Sequence, residues 1–280
     1  MGERPAVVTF TTDYGTRDAF VAVCKGVVLT AAASAQIVDV THEVPPGDIL
    51  RGARVLAEAA PYFARAVHLA VVDPGVGTAR RAVALGTQDG SALVGPDNGL
   101  LMAAALRLGG VRTAVSVERA ASAVSRTFHG RDIFAPAAAR LAVGTPVERL
   151  GPGIDPDSLV VLAPPVRELG EGSVRVAVTA VDSFGNVQLA LSWQELVTSG
   201  VLPPGAGRPE GPTAAAELRL PDGRTVLVPA AGTFGDVAAG SLAIMEDSAG
   251  RVQLAVTGGR ASERLALSEG STVILRARPL

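Results

Sequence analysis

The first half of the chain alternates short apolar runs with stretches of helical period, and the second half replaces them with period-two runs. Ala6-Val7-Val8-Thr9-Phe10 reads as a buried strand that ends at Thr11-Thr12-Asp13-Tyr14-Gly15. Phe20, Val23, Cys24, Val27 and Val28 then fall at i, i+3, i+4, i+7 and i+8, the apolar face of a helix. Gln36 to Val40 is a second strand, and Asp48 is placed to cap a helix reaching about Ala60. Ala66 to Val72 is a third strand, and it stops at Asp73-Pro74-Gly75-Val76-Gly77, which neither a helix nor a ladder strand absorbs. Further strands are predicted at Ala82 to Leu85, Ala92 to Val94 and Val111 to Val117. Helices are predicted from Leu100 to about Leu108 and after Asp132 to about Val143.

Strands alternating with helices predict an α/β domain, a mostly parallel sheet with helices on both faces. Asp13, Asp73 and Asp97 each end or follow a strand, so all three are expected on one rim of that sheet. In such sheets the carboxyl ends of the strands are where ligands bind. Beyond Gly144 a proline- and glycine-rich stretch intervenes. The N-terminal α/β domain is placed at 1–163, a linker at 164–172 and a C-terminal antiparallel β-barrel domain at 173–280. Pro221-Asp222-Gly223 between two strand patterns is a hairpin signal. Residues 203–212 read as a flexible insertion, and no long insertion is evident in 86–125.

A length of 280 residues and an apolar share of 48% allow a sizeable core, built from small branched side chains because aromatics are only 4%. A net charge of −2 points to neither a nucleic acid nor a membrane partner. Mean hydropathy is positive. Yet the longest weakly charged window, Thr225 to Met245, holds Pro229, Gly232, Gly235 and Gly240 and makes a poor spanning helix. No signal segment precedes the first strand pattern, so a cytoplasmic location is expected. Cys24 is the only cysteine, and it sits within the apolar face of its helix, which excludes an intrachain disulfide and favours a packing role.

Candidate chemistry is sparse. His68 alternates within a strand and His42 lies in a loop, both read as structural or solvated. His129 sits in the polar cluster Thr127-Phe128-His129-Gly130-Arg131-Asp132 before a helix, where a general base and a simple cap are both open. No histidine pair has metal-ligand spacing, so no metal is expected. Gly-x-Gly-x-x-Gly, Walker and Gly-x-Ser-x-Gly motifs are absent. Arg80 lies seven residues after Asp73, far enough for the intervening loop to fold back and pair the two charges.

Five motifs occur in order: Thr12-Asp13-Tyr14-Gly15, Asp73-Pro74-Gly75-Val76-Gly77-Thr78-x-Arg80, Gly95-Pro96-Asp97-Asn98-Gly99, Phe128-His129-Gly130-Arg131-Asp132-Ile133-Phe134-Ala135-Pro136 and Asp182-x-Phe184-Gly185-Asn186. Together they resemble the S-adenosyl-L-methionine hydroxide adenosyltransferase family, related to the fluorinases and chlorinases. The resemblance spans almost the whole chain. It implies hydrolysis of S-adenosyl-L-methionine at ribose C5′ to adenosine and L-methionine, with no cofactor. It also implies a homotrimer whose sites lie between the N-domain of one subunit and the C-domain of its neighbour. By matching position, Asp73, Arg80 and His129 form a triad that the halide-using branch lacks. His129 is then expected to position and deprotonate water, Asp73 to orient His129 or Arg80, and Arg80 to stabilise hydroxide. Substrate-binding roles carry over to Asp13 (ribose hydroxyls), Asp182 (methionine ammonium), Asn186 (adenine edge), Phe234 (adenine pocket) and Ser248 (methionine carboxylate). The family's frequent Ser-Arg pair is Ser248-Ala249 here, so an arginine grip on that carboxylate is missing at this position. Halide-dependent synthesis of 5′-halo-adenosine and non-catalytic nucleoside binding are the competing readings. Turn-shaping roles for Asp182 and Asn186 stay open as well.

Overall fold

The computed structural model describes residues 6–118, 125–208 and 214–278. The chain divides into two compact units, Met1–Leu162 and Ala163–Leu280. Residues 209–212 of the expected insertion, and 119–124 of the stretch expected to lack one, lie outside the described residues.

The first unit is built on a six-stranded sheet. Its strands are β1 (Val7–Thr12), β2 (Gln36–Thr41), β3 (Val67–Val71), β4 (Ala82–Thr87), β5 (Ala92–Pro96) and β6 (Val111–Ser116), in the spatial order β2-β1-β3-β5-β4-β6. β1 pairs in parallel with β2 and β3, and β3 with β5. β4 runs antiparallel to β5 and β6. The sheet is therefore mixed, with its parallel part carrying Asp13, Asp73 and Asp97 at neighbouring carboxyl ends, on the one rim expected. α1 (Phe20–Ala31) and α4 (Ala135–Ala142) cover one face, over Phe10, Leu69, Val71 and Val94. α2 (Ile49–Ala59) and α3 (Met102–Arg107) cover the other, over Ala70, Val72, Leu85 and Leu93. Coverage on both faces is why β3 is buried at every position and shows no alternation. The Asp48 side chain caps α2 by accepting from Arg51 N, as expected.

α1 presents a different face from the one its periodicity suggests. Val21, Cys24 and Val28 are buried, whereas Phe20 is 46% exposed and Val23 is exposed. The Phe20 ring leaves the core to meet Tyr14 and Phe128, with centroids 6.0 and 5.2 Å away. Cys24 is fully buried, and burial pushes its thiol up to about 12.

The second unit is an antiparallel, nearly closed sheet in the order β11-β10-β14-β8-β9-β13-β12. Its strands are β7 (Arg167–Gly170), β8 (Ser173–Val181), β9 (Val187–Ser192), β10 (Ala215–Arg219), β11 (Thr225–Pro229), β12 (Leu242–Glu246), β13 (Arg251–Val256) and β14 (Thr272–Ala277). A bridge between Ala230 and Ile244 links the two ends of the order. Inward residues such as Val176, Leu189, Leu218, Leu254 and Leu275 form its core. Short helices α5 (Trp193–Thr198) and α6 (Ala261–Leu265) interrupt the strand sequence, and α5 starts on a Ser192–Glu195 capping box. The segment expected as a linker contains β7, which pairs with β8 from Arg167 to Gly170. All four β7 residues are exposed, so no apolar alternation marks this edge strand in the sequence.

Candidate active site

Asp73 leaves the carboxyl end of β3, and the loop after it returns on itself. Val76 N donates to Asp73 O at 3.2 Å, and Thr78 Oγ1 donates to Gly75 O at 2.7 Å. Gly77 has φ of +79°, and a Cβ there would sit 2.7 Å from Arg126 O, so the turn requires glycine twice over. Arg80 is thereby brought against Asp73 in a two-pronged pair. Nε donates to Oδ1 at 3.1 Å and Nη2 to Oδ2. The pair is buried, with side chains 8% and 6% exposed.

His129 approaches from the other side. It precedes a π-helical turn, Gly130–Phe134, in which Ala135 N bonds back to Gly130 O before α4 begins. Pro136 has no N–H to offer the Asp132 carbonyl, which accounts for the widened turn just ahead of it. His129 is 2% exposed, and Arg80 Nη2 lies 3.1 Å from its Nδ1. A guanidinium only donates, so Nδ1 is the acceptor and the neutral ring carries its proton on Nε2. Arg80 Nη1 also donates to Arg81 O at 3.0 Å, and the guanidinium carbon sits 5.3 Å from the Phe134 ring centre. Four of the five N–H groups of Arg80 are thus engaged by protein. Asp73 orients Arg80 directly and His129 through it.

Asp73 and His129 line a cavity of about 520 Å³, together with Asp13, Tyr14, Phe20 and Phe128. Arg80 stands behind that wall. Asp13 follows β1 and accepts from Gly47 N at 2.8 Å. Burial raises the pKa of its carboxyl; the Gly47 N–H pulls it back, and the charge of Asp73 adds to the rise. Tyr14, whose phenol burial also pushes up, packs edge-on to Phe128 at 5.9 Å. Asp97 shares the rim but is committed elsewhere. It accepts from Arg81 Nε at 2.8 Å and Val160 N at 2.9 Å, while Arg81 Nη1 reaches Ser158 Oγ at 3.0 Å.

In the second unit, Asp182 and Asn186 belong to the β8–β9 turn. Asp182 Oδ1 accepts from the backbone N of Phe184 and of Asn186, and Oδ2 accepts from Asn186 Nδ2 at 2.8 Å. The carboxylate holds its own turn, as the turn-shaping alternative describes. Phe234 is 46% exposed and sits near the same end of the sheet, where its carbonyl accepts from Thr257 Oγ1. Arg260 is there too, donating through Nη1 to Ser183 O at 2.8 Å, a cation that no motif announced. Ser248 is not brought to this group. It lies in the β12–β13 turn, next to Trp193 N bonded to Gly250 O, at the far end of β9. Six residues of strand separate the two ends, roughly 17 Å at the usual rise.

His68 and His42 are structural rather than solvated. His68 is fully buried, bonded through Nδ1 to Thr9 Oγ1 at 2.8 Å, and burial pushes its pKa down to about 4. His42 is 4% exposed and bonded to Thr12. Among the described residues, no group of three or more His, Cys, Asp or Glu is gathered as a metal site requires, and no helix is long and apolar enough to cross a membrane.

Residues 8–151 match the N-terminal domain and residues 176–274 the C-terminal domain of SAM hydroxide adenosyltransferases. A relative from Salinispora tropica, named (R)-S-adenosyl-L-methionine hydrolase, is 50% identical over 96% of this chain and 97% of its own. A fluorinase from Actinopolyspora mzabensis is more distant, 29% identical over 70% of this chain and 74% of its own. The crystal structure of an uncharacterized conserved protein from Thermotoga maritima superposes with a TM-score of 0.87 at 34% identity, covering 96% of this chain and 99% of that one.

Proposed function

This chain belongs to the SAM hydroxide adenosyltransferase family, and from that premise we propose that it is an enzyme hydrolysing (R)-S-adenosyl-L-methionine to adenosine and L-methionine. One observation carries the assignment of the site: Arg80 joins Asp73 to His129 at the wall of the cavity that also holds Asp13.

The chemistry fits those groups. A water oxygen forms the new bond to ribose C5′ while the C5′–S bond breaks, and its electron pair stays on sulfur as the neutral thioether of methionine. The leaving group needs no acid and no cofactor. What the protein must supply is a water held in line with the C5′–S bond and a destination for its proton. With Nδ1 accepting from Arg80, the neutral His129 ring carries its proton on Nε2 and has no second lone pair to take one from water, so the imidazole is proposed to position the water and not to deprotonate it. The water protons then face Asp13 and Asp73, the two carboxylates of the cavity, and one of them accepts. Arg80 acts from behind, aligning both Asp73 and His129, and its charge is offset by Asp73 before a sulfonium arrives. Asp13 is proposed to hold the ribose hydroxyls. Asp182, Asn186 and Phe234 stay candidates for the nucleoside and methionine ends, and Ser248 is set aside because of its distance from them. The homotrimer implied by the resemblance is part of the proposal, and light scattering of the purified protein tests it.

The decisive experiment is turnover of each sulfonium epimer in water enriched in ¹⁸O, with and without excess fluoride or chloride. Adenosine carrying one ¹⁸O at the 5′ position is expected, with and without halide. A 5′-halo nucleoside, unlabelled adenosine, or binding without turnover refutes the proposal. His129→Ala and Asp73→Ala are expected to lose turnover by about 100-fold or more; variants that hydrolyse at the wild-type rate refute the assignment of the site.

A further inference from the structure

Asp13 lies between Thr12 and Tyr14, and a chain of side-chain contacts runs from the Thr12 hydroxyl to the surface. Thr12, fully buried at the end of β1, accepts from Tyr14 N at 3.2 Å and bonds His42 Nδ1 at 2.9 Å. The backbone reinforces the join: Gly15 N donates to His42 O at 2.7 Å, and Val44 N to Thr12 O at 3.4 Å. Gly47 N from the same loop reaches the Asp13 carboxylate itself. On its other side, His42 Nε2 lies 3.0 Å from Asp39 Oδ1, out of line for a full hydrogen bond, and the edge of Phe10 closes the space. Asp39 is clamped at 2.5 Å by Lys25, the only lysine in the chain. The β1–β2 register slips between Phe10 and Thr11, so Thr11 faces Thr41 where Phe10 faced Asp39. Irregularities of this kind re-aim side chains beside active sites.

We infer that Thr12, His42, Asp39 and Lys25 are positioning residues that set the Asp13 carboxylate for the ribose hydroxyls, an inference that rests on the function proposed above. The directions of the bonds make the chain one-way. The Asp39 carboxylate favours a proton on His42 Nε2, which leaves Nδ1 to accept the Thr12 hydroxyl hydrogen. Thr12 then has its lone pairs available to the Tyr14 amide. Both neighbours of Asp13 are thus fixed by one hydroxyl group, and that hydroxyl is fixed by an imidazole whose orientation a surface ion pair maintains. Burial pushes the Asp39 carboxyl up, but Lys25 and His42 together outweigh it and hold it below the ordinary value. Asp39 therefore stays charged at neutral pH and keeps its pull on the ring.

The test compares adenosine with 2′,3′-dideoxyadenosine by calorimetry, since only the first offers hydroxyls to Asp13. Thr12→Val removes the hydroxyl at nearly constant shape. It is expected to weaken adenosine by about tenfold, the value of one good hydrogen bond, with dideoxyadenosine unchanged within about twofold. Thr12→Ser restores binding, and Thr12→Val adds nothing in an Asp13→Asn background. Asp39→Asn and Lys25→Ala change surface groups and carry the test if Thr12→Val does not fold; each is expected to lose adenosine selectively by about two- to threefold. Equal losses for both nucleosides, no loss, or a Thr12→Val effect that persists beside Asp13→Asn overturns the inference. A wild-type protein that binds neither nucleoside refutes the proposed function instead.

Discussion

Gly130 follows His129, and replacing it by alanine tests how tightly the cavity wall is built. A Cβ at this position would lie far inside contact distance of the Tyr14 hydroxyl, 3.1 Å from Tyr14 Cζ and 3.3 Å from Phe128 Cε2. The backbone is helical here, so alanine by itself would favour the fold by up to about 1 kcal/mol over glycine. Overpacking works against it by about 1–3 kcal/mol, because Tyr14 is pinned by Phe128 and Phe20 and has little room to retreat. The expected net result is a loss of up to about 2 kcal/mol in urea unfolding. Turnover should fall by about 100-fold as His129 is displaced from its contact with Arg80. Tyr14→Phe removes the atom in closest conflict, leaving contacts that need to give by only a few tenths of an ångström. The double variant should therefore recover most of the lost stability. Gly130→Ala with the wild-type midpoint and rate refutes the reasoning, and so does a double variant no more stable than Gly130→Ala alone.

A pH experiment isolates His68. Its folded pKa is pushed down to about 4 from 6.5, so the unfolded chain takes up a proton first as pH falls. Its penalty is absent above the unfolded value and grows between about 6.5 and about 4. Wild type should lose about 2 kcal/mol more than His68→Gln between pH 7 and pH 5 in urea unfolding, and equal losses would assign the acid sensitivity elsewhere. Arg80→Lys keeps the charge but gives up the two-pronged grip on Asp73 and the reach to His129. A fall in turnover of about 100-fold is expected with substrate binding nearly retained, and a rate within twofold of wild type would show that alignment of Asp73 and His129 does not matter.

What could be read from the chain was whatever depends on neighbours in sequence. The Asp73–Arg80 pairing was readable because Pro74, Gly75 and Gly77 force a return within seven residues. The strand runs were readable because β1 and β3 lie buried under helices on both sides. The facing of α1 was not, since Phe20 answers to Phe128, more than a hundred residues away. Nor was the pairing of Thr12 with His42, which join a strand end to a loop thirty residues further on. That Ser248 sits at the opposite end of β9 from Asp182 and Asn186 was not legible either, because motif order along a chain does not say at which end of a strand a turn emerges. The direction of the Arg80–His129 bond was hidden as well, since the sequence does not say which ring nitrogen faces the guanidinium.

The clamp around Asp97 bears on where this protein can be cut. The match to the N-terminal family domain stops at residue 151, yet Arg81 and Asp97 grip Ser158 and Val160, and Leu159 is buried against the sheet. Gly99 lies so close to Leu162 that a side chain there would collide with it. Scissors placed at the domain match would strip a strap from the very rim that carries Asp13 and Asp73, leaving Arg81 and Asp97 half-dressed and an oily slot open to water. A self-sufficient fragment has to run through Leu162.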